Sequence, residues 1–271
     1  MLSLIKKSIP RNLGYHLRKT KLYLRGLFYR GNRYYCPLCG HHYRQMFTGG
    51  FDLPVITEKQ IIGAGRRAHI ICPGCASTDR DRLVYLYVKK QLDLSSNKLK
   101  ILHIAPEPAL ASYLMKKCGK SYFPAAKYHE GFYYDKDIEL FDIKDIPYPD
   151  GHFELIICNH VLEHIDDDLA AMKELFRVLK SGGKAILQVP WSPLLEATIE
   201  DPSVTDPKQR ETLFGQFDHV RLYGKDYSNR LKNAGFEVAI LDHETLIEQN
   251  NSVEQMALNK KEVIFVGEKQ T

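Results

Sequence analysis

LKILHIAPEPAL, residues 99 to 110, decides the fold. Its first half is a short apolar run, the composition of a strand covered on both faces. Its second half opens a helix. A strand that runs directly into a helix is the repeating unit of a parallel α/β sheet. At that junction nucleotide-binding folds place glycines, so that backbone can approach the ligand. Here the junction reads Ala105-Pro106-Glu107-Pro108, with no glycine. The turn is either a binding site built differently or one that has been lost.

Working outward toward the C-terminus, the alternation continues. Strands are predicted over residues 101–105, 121–125, 139–143, 154–158, 184–189, 237–241 and 262–266. Between them lie helical patterns. The clearest starts at Asp166-Asp167-Asp168, carries Leu169, Met172, Leu175, Phe176 and Leu179 at helical spacing, and stops at Ser181-Gly182-Gly183. A second spans about 225 to 233 and stops at Gly235. The fold class is therefore α/β: a doubly wound, mostly parallel seven-stranded sheet. Its last strand lacks a strong crossover helix before it and is open to an antiparallel placement. In such sheets the ligand sits beyond the carboxyl ends of the strands, at the switch point. That rule selects His103 to Glu107, Ala126-Lys127, Asp142, Asn159-His160 and Pro190-Trp191.

Working back toward the N-terminus, a helix is predicted after the caps Ser77 and Thr78, running to about residue 92. Before it stand two knuckles, Cys36-Pro-Leu-Cys39 and Cys72-Pro-Gly-Cys75. Paired CxxC knuckles in a chain read as cytoplasmic point to metal rather than to disulfides. Four thiolates close a tetrahedral structural zinc site at Cys36, Cys39, Cys72 and Cys75. The long insert between the pairs, with Gly49-Gly50 and Gly63-Ala64-Gly65, predicts an extra hairpin. Cys118 and Cys158 stand singly in apolar surroundings and read as inert thiols.

The chain has 271 residues, a net charge of +5 and 44% hydrophobic residues. That suits one sizeable soluble domain with a small appendage. No apolar run reaches the roughly 20 residues of a membrane span. The charge is uneven: ten Lys and Arg residues precede the first acidic residue, Asp52, and are interleaved with leucines and aromatics. Such a leader reads either as a solvated helix packed on its own domain or as an element for an anionic membrane surface, with nucleic acid third. The expected division is a basic leader over 1–33, a zinc-ribbon-like module over 34–80, a connecting helix over 81–98 and an α/β domain over 99–271. The expected location is cytoplasmic, peripheral at the inner membrane face if the leader binds lipid.

The stretch from Asp142 to Ile165, DIKDIPYPDGHFELIICNHVLEHI, with the following LFRVLKSGG over 175–183, resembles the class I S-adenosylmethionine-dependent methyltransferases of the type 11 subgroup. The paired knuckles, the LHIAPEPAL turn and the segment FGQFDHVRLYG over 214–224 are similar to members carrying an N-terminal zinc ribbon. The resemblance implies S-adenosylmethionine bound by the first turn at His103, Ala105 and Glu107, by Asp142 with Ile143, and by Asn159 and His160. His103 stands where the family usually has an acid. Ala126 stands where it usually has the acid that receives the ribose hydroxyls, unless Glu130 or Asp135 supplies that carboxylate. The resemblance and the basic leader together imply a sugar or other small hydroxyl acceptor in cell-surface polysaccharide synthesis.

Methyl transfer needs near-attack geometry and, for a hydroxyl acceptor, removal of a proton. His160 is the first candidate base, and Asp218-His219 form a second candidate constellation. Glu163 and His164 lie on the intervening turn, with His164 read as a packing or orienting residue. Trp191 is a candidate floor for the acceptor site, and Arg221 and Tyr223 are candidate anion contacts. Two other readings stay open: an adaptor that keeps the fold and binds a partner through the zinc module and leader, and a nucleic-acid methyltransferase, against which stands the absence of an NPPY-type or cysteine motif.

Overall fold

The computed structural model describes residues 11–92, 99–127, 137–247 and 252–271, the side chains of 11–16 excepted. Helix α1 (Arg11–Phe28) leads into strands β1 (Arg30–Cys36) and β2 (His41–Tyr43), which pair antiparallel. Strand β3 (Phe47–Gly49), the short helix α2 (Pro54–Glu58) and strand β4 (Arg67–Ile71) follow, with β3 and β4 antiparallel. The insert between the knuckles thus forms the expected hairpin. Helix α3 (Asp79–Gln91) begins at a capping box in which Thr78 and Asp81 satisfy each other's backbone N–H groups.

The remaining elements are β5 (Ile101–Ile104), α4 (Pro108–Cys118), β6 (Tyr122–Ala126), β7 (Glu139–Leu140), β8 (Phe153–Cys158), α5 (Asp168–Val178) and β9 (Leu179–Ile186). After them come β10 (Ile199–Glu200), α6 (Pro207–Phe214), β11 (Arg221–Leu222), α7 (Tyr227–Asn233), β12 (Glu237–Asp242), α8 (His243–Leu246) and β13 (Val263–Glu268). One seven-stranded sheet runs in the order β12-β13-β9-β8-β5-β6-β7. Its strands are parallel except β13, which pairs antiparallel with both β9 and β12. The chain order doubles back between β5 and β8, and that is where the switch-point rule puts a ligand.

Apolar residues alternate across the sheet. Leu102, Ile104, Ile156 and Cys158 face α5 and α7, while Ile101, Leu155, Ile157 and Ile264 face α3 and α4. Helix α3 buries Leu83 to Val88 in that second layer, so it is a wall of the sandwich as well as a connection. One boundary differs from expectation. Strand β9 starts at Leu179, immediately after α5, rather than at residue 184. Gly182 takes a positive φ of 75° and Gly183 has no room for a Cβ, which would lie 2.7 Å from the Lys180 carbonyl oxygen. The two glycines act as a kink within the strand, and the pairing with β8 shifts register there.

Candidate active site and cysteine centre

At the carboxyl end of β5, His103 is fully buried between two partners. Its Nδ1 lies 2.9 Å from the Tyr122 hydroxyl and its Nε2 2.7 Å from Glu107 Oε2. Asn159, at the end of β8, donates to Glu107 Oε1 at 3.2 Å. Burial works against charge on Glu107, but the His103 and Asn159 hydrogen bonds hold its carboxyl below the usual range. Ala105 adopts φ +48°, the left-handed conformation normally left to glycine, and its N–H donates to the Ala125 carbonyl at 2.7 Å. The turn therefore has the backbone shape of a glycine turn without the glycine.

One strand away, Ala126 is half-buried at the end of β6. The neighbouring Lys127 ammonium pairs with Asp142 at 2.9 Å, and Asp142 also accepts the Lys144 backbone N–H at 2.9 Å. That backbone bond, helped by Lys127, keeps the Asp142 carboxyl low against the cost of desolvation. Ile143 is buried in the core beside it. Glu130 and Asp135 lie outside the described residues. The structure thus joins His103, Glu107 and Asn159 in one network and leaves Asp142 in a separate one with Lys127.

The other flank of β8 is different. His160 also has positive φ, at 55°, and its N–H donates to the Gln188 carbonyl at 2.7 Å. Arg80, from the start of α3, approaches His160 Nδ1 at 3.1 Å and also donates to the Gly63 carbonyl at 2.5 Å. A guanidinium only donates, so Nδ1 accepts and the neutral ring carries its proton on Nε2. Burial, then Arg80, hold the ring well below its ordinary pKa. Its Nε2 is buried without a hydrogen-bond partner among the described residues, as is Glu163 Oε2. Burial pushes Glu163 up to about 8.

Asp218 and His219 do not face each other. Asp218 Oδ1 accepts from Gln216 at 2.8 Å, and its Oδ2 lies 3.4 Å from His164 Nδ1. His219 Nδ1 lies 3.2 Å from the Phe214 carbonyl, and its ring packs edge-on to His164. His160, Glu163, His164 and His219 all line one cavity of about 320 Å³. Its opposite wall comes from the insert between the knuckles, through Gly63, Ala64 and Arg67, and from Asp79 and Arg80. Nothing local in the sequence shows that the N-terminus of α3, with Arg80, folds over the sheet edge. Trp191 is joined to the same insert by backbone bonds to Ile62 at 2.8 and 3.1 Å, which hold the wall in place. Arg221 is spent elsewhere, donating to the Leu162, Ile165 and Asp166 carbonyls and to Glu200. The Tyr223 hydroxyl donates to Asp168 at 2.7 Å, so neither residue is presented to an anion.

The four knuckle cysteines converge. Cys36 and Cys75 sulfurs are 3.7 Å apart and Cys39 and Cys72 sulfurs 3.8 Å apart, and all four Sγ atoms lie within 4.8 Å of one another. A disulfide would bring two sulfurs to about 2.05 Å. Tetrahedral zinc with bonds of about 2.3 Å places them roughly 3.8 Å apart, so the donor set and its spacing fit that ion. Arg82, buried beneath this centre, donates to the Ser77, Ile70, Met256 and Ala257 carbonyls and ties the knuckles to the segment before β13. Helix α1 lies on the second knuckle: Arg25 donates to the Pro73 carbonyl at 2.8 Å, and Gly26 meets Gly74 so closely that a Cβ would sit 3.0 Å from its Cα. Leu17, Leu24, Leu27 and Phe28 remain exposed on that helix. No described helix is long and apolar enough to cross a membrane.

A family model described as a methyltransferase domain matches residues 92–240. A protein of Mycolicibacterium smegmatis bearing the name "Probable S-adenosylmethionine-dependent methyltransferase" is 26% identical over 130 residues, 48% of this chain and 46% of that protein. Ajmaline N-methyltransferase of Rauvolfia serpentina is 41% identical over 46 residues, 17% of this chain and 16% of that protein. The matched stretches therefore span less than half the length of these curated relatives. Among solved structures, an S-adenosylmethionine-dependent methyltransferase from Archaeoglobus fulgidus has a TM-score of 0.44 at 13% identity, covering 72% of this chain and 96% of that one. One from Mesorhizobium loti has a TM-score of 0.42 at 11% identity, covering 68% and 96%.

Proposed function

The chain belongs to the methyltransferase-domain family, and from that premise we propose that it transfers a methyl group from S-adenosylmethionine to a hydroxyl of a small polar acceptor such as a sugar. The observation that carries this reading is the cavity beside β8. It adjoins the cofactor edge through the consecutive residues Asn159 and His160, and it is lined by buried polar groups with unspent hydrogen-bonding capacity. A polyhydroxyl compound satisfies such a lining better than an apolar one. In this reading Ala105 to Glu107 would hold the methionine end of S-adenosylmethionine and Asp142 with Ile143 its adenosine end, and the cofactor would supply an electrophilic methyl to an acceptor in the cavity that His160 lines. His160 presents its Nε2 hydrogen to the acceptor oxygen, acting as an orienting donor rather than as the base expected from sequence, and the hydroxyl's proton is lost to solvent as the methyl transfers. Asp218 and His219 serve the same wall, Asp218 by holding His164. Zinc at the four cysteines rigidifies the insert that closes the cavity, so the metal shapes the acceptor site without taking part in chemistry.

Isothermal calorimetry on zinc-loaded protein tests the core of this reading. Binding of S-adenosylmethionine or its demethylated product at micromolar concentration is the expected result. No heat with either compound at millimolar concentration would leave the adaptor reading in its place. For α1 we propose docking on an anionic membrane surface. Its exposed leucines and Phe28 lie beside Arg18 and Lys21, the pairing of apolar and basic residues that interfacial helices use. Such a surface is where a lipid-linked saccharide precursor would be met. Sedimentation with vesicles containing phosphatidylserine should carry the protein down at low salt and release it at high salt. Equal sedimentation with neutral vesicles, or after deletion of residues 1–28, would return α1 to a packing role.

A further inference from the structure

We propose that Glu163, His164 and His219 form a second metal site, distinct from the cysteine centre, that holds a divalent first-row cation on the floor of the acceptor cavity. One ligand atom from each residue lies within 4.8 Å of the other two. All three residues line the same cavity. Two histidines and one carboxylate with open positions are a donor set for Mn²⁺, Fe²⁺, Co²⁺ or Zn²⁺.

Three features separate this cluster from a chance grouping of polar side chains. Glu163 is almost wholly buried, at 2% side-chain exposure, and its Oε2 has no hydrogen-bond partner among the described residues. A buried carboxylate oxygen in that condition calls for a cation or a donor. Each histidine is then held by an oxygen at Nδ1. For His219 it is the Phe214 carbonyl at 3.2 Å, and for His164 the Asp218 carbonyl at 3.3 Å with the Asp218 carboxylate at 3.4 Å. An N–H at Nδ1 fixes the tautomer in which Nε2 carries the lone pair, which is how metal-binding histidines are oriented. Finally, the rings are already set edge to face, with centroids 4.7 Å apart. Bonds of about 2.0–2.2 Å require ligand atoms no more than about 4.4 Å apart. A small rotation of the Glu163 carboxylate, whose Oε1 lies 3.5 Å from His160 Nδ1 and whose Oε2 has no partner among the described residues, closes the remaining gap.

The inference deepens the methyltransferase reading by naming the acceptor class: an oxygen ligand, hydroxyl or hydroxy acid, able to enter an open coordination position. It also explains why Asp218 is turned to His164 instead of His219. In this arrangement Asp218 is a positioning residue.

The test reads metal binding alone, with neither cofactor nor acceptor present, so its failure leaves the methyltransferase reading standing. Full-length protein with its cysteine-held zinc retained is titrated with Co²⁺. The expected result is one further equivalent per chain, with the weak visible bands of nitrogen and oxygen coordination and no sulfur charge-transfer band. Glu163→Gln and His219→Gln should each weaken that binding by about 100-fold or more while the zinc content stays unchanged. If a variant fails to fold, Mn²⁺ titration of the unmodified chain, followed by electron paramagnetic resonance, detects the same site. No Co²⁺ or Mn²⁺ bound at millimolar concentration beyond the cysteine centre would overturn the proposal. So would binding that both variants retain at wild-type strength.

Discussion

The two sides of β8 are built on opposite plans. Toward β5, every polar group of the His103–Glu107–Asn159 network has a partner of its own chain. Toward the cysteine module, His160 and Glu163 bury polar atoms that have none among the described residues. Both sides place a non-glycine residue in left-handed backbone, Ala105 on one and His160 on the other. At Ala105 the side chain is the smallest that still carries a Cβ, so strain is tolerated and little else is gained. At His160 a large ring is kept in a conformation that glycine would adopt freely, and that ring faces a cavity. Retained strain together with an unspent donor marks the second side as the one that would receive the acceptor.

The largest effect should come from zinc. Chelation removes a contribution of roughly 10–16 kcal/mol in sites of this type, and the module is predicted to unfold while the sheet persists. Far-ultraviolet circular dichroism and proteolysis would report this as loss of residues 30–75 with retention of the α/β core. If the comparison is right, the demethylated cofactor product still binds afterwards, because its proposed site lies on the β5 side. Acceptor-dependent turnover is abolished, because the opposite wall of the cavity belongs to the insert. Loss of both together would show that the two sides are not separable.

Next in size is His160→Ala. The variant should fold, keep cofactor affinity, and lose about 10²- to 10³-fold in turnover, the range for removing one oriented donor. Unchanged turnover would move the acceptor contact to another residue of the cavity. Glu107→Gln serves as the control from the opposite side: it should weaken cofactor binding and leave acceptor discrimination intact.

The sheet and its switch point were legible because hydrophobic periodicity is a local property. The runs around Leu102, Ile156 and Ile264 announce strands without reference to anything distant. The antiparallel last strand was legible for a negative reason, the lack of a crossover helix before it. The cysteine centre was legible because two-residue spacing alone restricts the geometry. The cavity was not. It depends on the insert reaching back to Trp191 and on Arg80 reaching His160 across 80 positions of sequence. Likewise the adjacency of Asp218 and His219 in sequence suggested a dyad. The turn that carries them instead points the carboxylate at His164 and the imidazole at a carbonyl. Neighbours in an irregular segment share no face by rule, whereas neighbours in a helix or strand do.

A smaller effect sharpens the cofactor side. Ala126 ends β6 without a carboxylate, next to a lysine already committed to Asp142. Ala126→Asp should supply an acceptor for a ribose hydroxyl pair and tighten cofactor binding by about tenfold, roughly 1.5 kcal/mol. Calorimetry on both proteins measures it directly. Tight binding in the parent with no gain in the variant would assign the role to Glu130 or Asp135.

The smallest expected effect returns to the turn without glycine. Ala105 at φ +48° bears a left-handed conformation that costs an L-residue about 1–2 kcal/mol. Glycine removes that cost but adds about 0.5–1 kcal/mol of chain entropy to the unfolded state. Ala105→Gly is therefore predicted to stabilise the protein by about 0.5–1 kcal/mol, a rise in melting temperature of a few degrees or less at this size. His160→Gly relieves the same backbone strain and should stabilise by a similar amount before its lost packing is counted. Here the two sides of β8 part company: the first change should leave turnover within about twofold, since Ala105 offers only its backbone, and the second should cost as much turnover as His160→Ala. If Ala105→Gly instead lowers the melting temperature, the turn is held by the methyl group's contacts rather than strained by them. The two left-handed residues would then owe their conformations to different causes.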